Sequence, residues 1–204
     1  MAAMGRPRTF DRDKAIEQAM HIFWQNGYES TSLGQLKAGI GKGISAPSFY
    51  AAFGSKEALF QECVQLYLDT YAQATAVLWN SSLPPRDAIE QALRSSAKMQ
   101  CEEGHPRGCM VALGVMSAPS KAHASVTAAL TRSRTHTRSG FSECVQRGIN
   151  SGELHPTTNV KALTTVFDSF LLGLSTLARD GVDYAVMDQS ISQILLAWDA
   201  AKTS

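Results

Sequence analysis

Two cysteines are the residues best placed to do chemistry. Cys101 and Cys109 flank a Gly104-His105-Pro106-Arg107 turn, so a histidine and an arginine lie between the thiols. A neighbouring cation lowers a thiol pKa and raises the fraction of reactive thiolate. The pattern suits a thiol that answers oxidants or electrophiles, while buried inert cysteine is the ordinary alternative. Two Cys and one His at these spacings match no common zinc pattern, so neither a metal nor a cofactor is expected. The histidines at 21, 105, 123, 136 and 155 are scattered. Nothing resembles a phosphate-cradling loop, a nucleophile elbow or a metalloprotease helix, and the chain is not expected to be an enzyme.

A second chemistry is the recognition of phosphates and base edges. Residues 45–60 read SAPSFYAAFGSKEALF. Ser45 can cap a short helix that tolerates Pro47 in its first turn and is stopped by Gly54. Its outer face would offer Ser45, Ala46, Pro47, Ser48 and Tyr50, while Phe49 and Phe53 face inward. Small residues let a backbone approach base edges closely, and hydroxyls reach phosphates or bases. Lys56 opens the next helix, where a cation and a helix N-terminus both favour a phosphate. Arg6 and Arg8 flank a proline that keeps the strand extended, a shape suited to a narrow minor groove.

The elements that must position these groups read as helices throughout. Ile16, Met20 and Phe23 share one face of a segment from about Asp11 to Asn26, which Gly27 ends. Ser32 and Gln35 fit a capping box for a second helix. Ser45 caps the third and Ser55 a fourth running towards Trp79. Residues 81–87 form a loop, and further helices begin near Pro85, Pro106, Lys121 and His155-Pro156, with a last one carrying Tyr184 to Trp198. No convincing strand or repeat is found. Helices as short as the first three persist only when packed together, so the front end is a miniature three-helix unit. Its second and third helices make a helix-turn-helix, whose second member enters the major groove.

The stretch AIEQAMHIFWQNGYESTSLGQL…GISAPSFYAAFGSKEALF resembles the DNA-binding domain of the TetR family of transcriptional regulators. It carries the pattern F-x-x-x-G-Y-x-x-T-S, then a turn, then S-x-x-x-x-Y-x-x-F-x-S-K-E-x-L, over about residues 12–66. The resemblance implies an all-α protein of about nine helices. Residues 1–54 would be an arm and helix-turn-helix domain, and 55–204 a ligand-binding and dimerisation domain, joined by helix four at about 55–79. It also implies a homodimer on double-stranded operator DNA, acting as a repressor released by a small-molecule effector. Thr31 and Ser32 join Arg6, Arg8, Ser45, Ala46, Pro47, Ser48, Tyr50 and Lys56 as DNA-contact candidates. One departure is evident: from Leu36 to Tyr50 the chain is two residues longer than the usual spacing, the surplus falling in AGIGKGIS.

In the body, methionines and other adaptable apolar groups suit an irregular pocket. Met99, Cys101, Cys109, Met110, Leu113, Met116 and Phe167 are the ligand candidates, with plain core packing as the alternative. The helix at about 156–180 is apolar over more than one stripe. Phe170, Leu171 and Leu174, with Ile191, Ile194, Leu195 and Trp198 of the last helix, are therefore candidates for a dimer interface. The run from Lys121 to Gly140 carries Arg132, Arg134 and Arg138 without an acid, and reads as a solvated helix surface.

Composition narrows the classes. The 204 residues carry a net charge of +1 with 44% hydrophobic content, ample for a core and without the overall basicity of a non-specific nucleic-acid binder. Up to Phe60 there are seven Lys/Arg against five Asp/Glu, so the front is slightly basic. No secretory signal and no membrane span is apparent, and the cysteines form no disulfide pattern. A cytoplasmic location is expected. The rival reading is a helical small-molecule binder or thiol redox sensor that has lost specific DNA binding.

Overall fold

A computed structural model describes residues 11–41, 43–114 and 126–203. Arg6, Arg8 and Met116 lie outside the described residues. Among the described residues the architecture is ten α-helices and one 3₁₀ segment, without a strand. Asp11 starts α1 (Arg12–Asn26) by accepting from the Lys14 N–H, and Gly27 ends it at φ 79°. Reciprocal Ser32–Gln35 hydrogen bonds open α2 (Leu33–Gly39). Ser45 caps α3 (Ala46–Phe53) through the Ser48 N–H, and Ser55 caps α4 (Lys56–Asp69) through that of Ala58.

Helix four does not run to Trp79. At Thr70 the hydroxyl donates to the Leu66 carbonyl at 2.6 Å, and the Thr70 N–H turns to Tyr67 instead. Side-chain competition of this kind breaks the α ladder, and Tyr71–Trp79 continues as 3₁₀ helix. The body follows with α5 (Pro85–Cys101), α6 (Met110–Leu113), α7 (Ala128–Asn150), α8 (Val160–Arg179), α9 (Tyr184–Ile194) and α10 (Leu196–Asp199). The helix expected near Pro106 starts at Met110, and the start expected near Lys121 lies outside the described residues. His155-Pro156 remains a turn in which the His155 N–H meets the Ala201 carbonyl, and Asn159 makes the real cap through Ala162.

Buried side chains form two clusters. The front one joins α1–α4, with Phe23, Phe49, Phe53, Leu59, Phe60 and Tyr67, and extends to Met110, Val111 and Leu130. Because the inner face of α4 packs on α1, a boundary at 54/55 separates side chains that share one core. The rear cluster centres on Phe141, Phe167 and Trp198. Gly148 is required there, since a Cβ would lie 2.7 Å from the Trp198 ring. Helix α8 is long and apolar enough to cross a bilayer, with mean hydropathy 1.3. One of its apolar stripes packs inside the protomer, and a second, from Phe170 to Leu177, is partly open.

Candidate nucleic-acid interface and enclosed cavity

The third helix is aimed by its aromatic residues. Phe49 and Phe53 are fully or almost fully buried, leaving Ser45, Pro47, Ser48 and Tyr50 exposed and Ala46 half-buried. Ser45 and Ser48 hydroxyls touch at 2.8 Å, and Tyr50 is 51% exposed. The long turn is pinned at both ends. Ile40 is wholly buried, the Ile44 N–H reaches the Lys37 carbonyl at 2.9 Å, and the Gly41 N–H reaches the Gln18 side chain at 2.8 Å. Arg12 ties α1 to this unit through Glu62 at 2.7 Å and lies over the Phe53 ring.

Two of the DNA-contact candidates change character. Thr31 is completely buried and its hydroxyl donates to the Gly27 carbonyl at 2.7 Å, so it shapes the turn after α1 and cannot reach a ligand. Lys56 lies with its ammonium 4.3 Å from the centre of the Tyr28 ring. Partial burial pushes its pKa down, and the ring holds the cation in place. Ser32 is exposed at the start of α2.

Behind the front unit a small cavity, partly open to solvent, lies among the 3₁₀ segment, α5, α6, α7 and α8. Of the ligand candidates, Met99 and Cys109 line it. The other described candidates are used elsewhere. Met110 is in the front core, Phe167 stacks towards Phe141, and Cys101 packs in the rear cluster beside Met187. Leu113 lies against Gly108. The polar lining was not anticipated. Gln100, Ser96, Ser175 and Asp168 are all buried there, with Gln100 donating to Ser96 at 2.9 Å. Among the described residues the Gln100 Oε1 and the Ser175 Oγ have no partner. Arg134, placed on a solvated surface by the sequence reading, lines the same cavity, and Arg138 pairs with Asp168 at 2.6 Å.

The Cys109 thiol accepts from the Tyr67 hydroxyl at 3.2 Å. Burial pushes its pKa up, and the Tyr67 hydroxyl, backbone N–H groups of α6 and Arg134 oppose that. Burial likewise raises Cys101, against Arg107. The His105-Arg107 turn joins the two cores. The His105 ring stacks on Trp24 of α1 at 4.7 Å with Tyr71 edge-on to both, and the Trp24 indole donates to the Gly108 carbonyl at 3.1 Å. Gly108, at φ 83°, donates to the Gln100 carbonyl, and a Cβ would lie 2.8 Å from the Ser175 carbonyl oxygen. Arg179 of α8 donates to the carbonyls of Trp24, Gln25 and Arg107 at 2.9–3.1 Å, closing the end of α1. Nothing in the sequence pairs Arg179 with α1, because the contact spans 155 positions.

The dimer candidates also divide. Leu174, Ile191, Leu195 and Trp198 are 0–2% exposed and Leu171 is 9%, all within the protomer's own rear core. Phe170 and Ile194 are half-buried. The apolar surface left open on the last helices is Leu177, Tyr184, Val186 and Leu196, at 36–57% exposure, with room beside Gly173 for another chain to approach.

This pairing of a short helix-turn-helix unit with an all-helical body enclosing a cavity defines a class of DNA-binding regulator. Residues 15–63 match the sequence model of the bacterial regulatory proteins, tetR family, and residues 85–194 match that of the tetracyclin repressor-like C-terminal domain. The chain belongs to the TetR family of transcriptional regulators. It is 29% identical over 195 residues to the HTH-type transcriptional repressor ComR of Escherichia coli, covering 95% of this chain and 91% of the relative. It is 34% identical over 113 residues to the repressor BdcR of the same organism, covering 55% of this chain and 56% of BdcR. Among solved structures it resembles the TetR family regulator CifR, a cysteine mutant complexed with 26-bp double-strand operator DNA. That match has TM-score 0.82 and 36% identity, covering 95% of this chain and 100% of CifR.

Proposed function

We propose that the chain is a ligand-responsive repressor that binds a near-palindromic operator as a homodimer and is released when a small molecule enters the cavity. The observation that carries this is the exposed Ser45–Tyr50 face of α3, held rigid by buried Phe49 and Phe53. In this reading Pro47, Ser48 and Ala46 face base edges, and Tyr50, Ser32 and Lys56 meet phosphates. The arm residues Arg6 and Arg8 follow the minor groove. The interface between copies runs along Phe170, Gly173 and Leu177 of α8 and Val186, Ile194 and Leu196 beyond it. A two-fold axis there sets the two α3 helices roughly 34–36 Å apart, or a multiple of that. The protein works in the cytoplasm, where its DNA lies, and regulates without catalysing a reaction.

Release follows from shared parts. Gln100 and Ser175 line the cavity; the Gln100 carbonyl accepts from the Gly108 N–H, the Ser175 carbonyl packs against Gly108, and the Gly108 carbonyl holds Trp24. A ligand that draws Gln100 or Ser175 inward pulls on α1 through this loop and through Arg179. A gel-shift titration against the gene's own upstream region at two salt concentrations tests the function. A repressor shows sequence preference and a steep loss of affinity with salt. Equal affinity for random DNA would overturn it.

A second reading has one observation in its favour: Cys109 lines the cavity under the Tyr67 hydroxyl. In that reading an electrophile captured at Cys109 is the signal. It requires that a mild electrophile release DNA from the parent and not from Cys109→Ser, with Cys101→Ser behaving as the parent. Release from the Cys109→Ser variant eliminates it.

A further inference from the structure

We infer that the effector is a small organic monoanion, a carboxylate whose charge is met by Arg134 and whose far end donates a hydrogen bond to Gln100 or Ser175. The inference rests on reading this cavity as the effector site.

The charge of the walls points to an anion. Between Glu103 and Glu143 the sequence contains no Asp or Glu but five cations, Arg107, Lys121, Arg132, Arg134 and Arg138. Of these five, Arg134 lines the cavity. The single acid lining the cavity, Asp168, is buried and neutralised by Arg138 at 2.6 Å. Arg134 lines the same space, and among the described residues its hydrogen-bond partner is the Thr131 hydroxyl at 3.5 Å, a long contact. A half-buried guanidinium without a carboxylate is a ready fork for one. Ser133 and Thr137 add hydroxyls beside it. One unpaired cation fits a monoanion better than a phosphate dianion, which needs more than one to offset its charge.

The opposite requirement is set by the deep polar atoms. Gln100 is 0% exposed and Ser175 1%, and each carries an oxygen with no partner among the described residues. Buried unpaired polar atoms are costly unless something bonds to them. An N–H or O–H on the ligand would satisfy them. Met99, Val111 and Leu171 supply the apolar walls between, which suit a ring or short chain.

The test uses the full-length protein and three matched probes: 4-hydroxybenzoate, 4-hydroxybenzamide and 4-hydroxybenzylamine, with benzoate to remove the donor. Calorimetry reads binding, and gel shift of the upstream region is run on the same samples. The carboxylate is expected to bind at least ten-fold more tightly than the amide or the amine, and benzoate more weakly than 4-hydroxybenzoate. Arg134→Gln should abolish the carboxylate's advantage and leave amide binding unchanged. Gln100→Leu should erase the difference between 4-hydroxybenzoate and benzoate. An amide or amine that binds as well as the carboxylate, or full carboxylate affinity in Arg134→Gln, overturns the inference. So does failure of both carboxylates to bind. In that last case intact sequence-specific DNA binding leaves the repressor reading standing, whereas absent DNA binding sinks the repressor reading by itself.

Discussion

Changing Arg179 to Met should loosen the joint between the body and α1. Met keeps most of the apolar stem and removes every donor. Three carbonyls lose a partner, those of Trp24, Gln25 and Arg107. The Gln25 contact is exposed, so water replaces it at little cost, but the Trp24 and Arg107 contacts are partly buried. A hydrogen bond from a charged donor contributes about 1.5–3 kcal/mol, and the two share one guanidinium, so a loss of about 2–3 kcal/mol follows. Urea unfolding at fixed protein concentration reads this directly, because dimerisation makes stability depend on concentration. Hydrogen exchange should quicken in the last turn of α1 and remain unchanged in α7. Lys in place of Arg should recover only part, since an ammonium lacks the planar fork that reaches several carbonyls at once. A stability change within about 0.5 kcal/mol, the ordinary range for a surface substitution, would falsify the claim that Arg179 holds this end.

Lys56→Ala should weaken operator and random DNA alike and lower the salt slope by about one unit, whereas changes at Ser48 should alter which sequence is preferred; gel shifts at several salt concentrations distinguish the two. Leu177→Glu or Leu196→Glu should give monomers in sedimentation at low micromolar concentration and abolish specific binding with the fold intact, because both side chains are more than 40% exposed. The same change at Leu174 or Ile191 should unfold the protomer instead, as each is buried in its own core. Hydrogen bonds from Arg86, then from Lys202, hold Asp199 down at about 2. A depressed carboxylate contributes stability above its unfolded pKa of about 3.9, and that contribution is lost as pH falls from there towards 2. Asp199→Asn should flatten the denaturation midpoint over that window and leave it unchanged in shape above pH 5.

The front of the molecule was legible because its determinants are local. The Ser32–Gln35 box, the Ser45 and Ser55 caps and the Gly27 and Gly54 stops each act within a few residues, and the alternation of Phe49 and Phe53 with Ser48 and Tyr50 shows which side is inward. Thr31 misled because a hydroxyl beside a DNA-contact motif reads the same whether it faces solvent or a carbonyl four residues back. The body was legible in class and not in detail. An apolar residue at helical spacing shows that it is buried but not against which helix, so buried Leu174 and Trp198 could not be told from exposed Leu177 and Leu196. Arg134 illustrates the limit best. Its helix carries cations all round, and which one turns to the cavity depends on where α8 places Asp168, a partner for Arg138 30 residues away.

The 3₁₀ stretch from Tyr71 to Trp79 has a mechanical meaning. A 3₁₀ helix rises about 2.0 Å per residue and an α-helix about 1.5 Å, so nine residues differ in length by about 4–5 Å between the two windings. Winding also turns them, since three residues per turn against 3.6 separates the two forms by about 20° at each step. The segment lies between α4, whose side chains belong to the front core, and α5, whose side chains belong to the rear. A change of pitch at this wall of the cavity would therefore shorten and rotate the shaft that carries the DNA-reading helices.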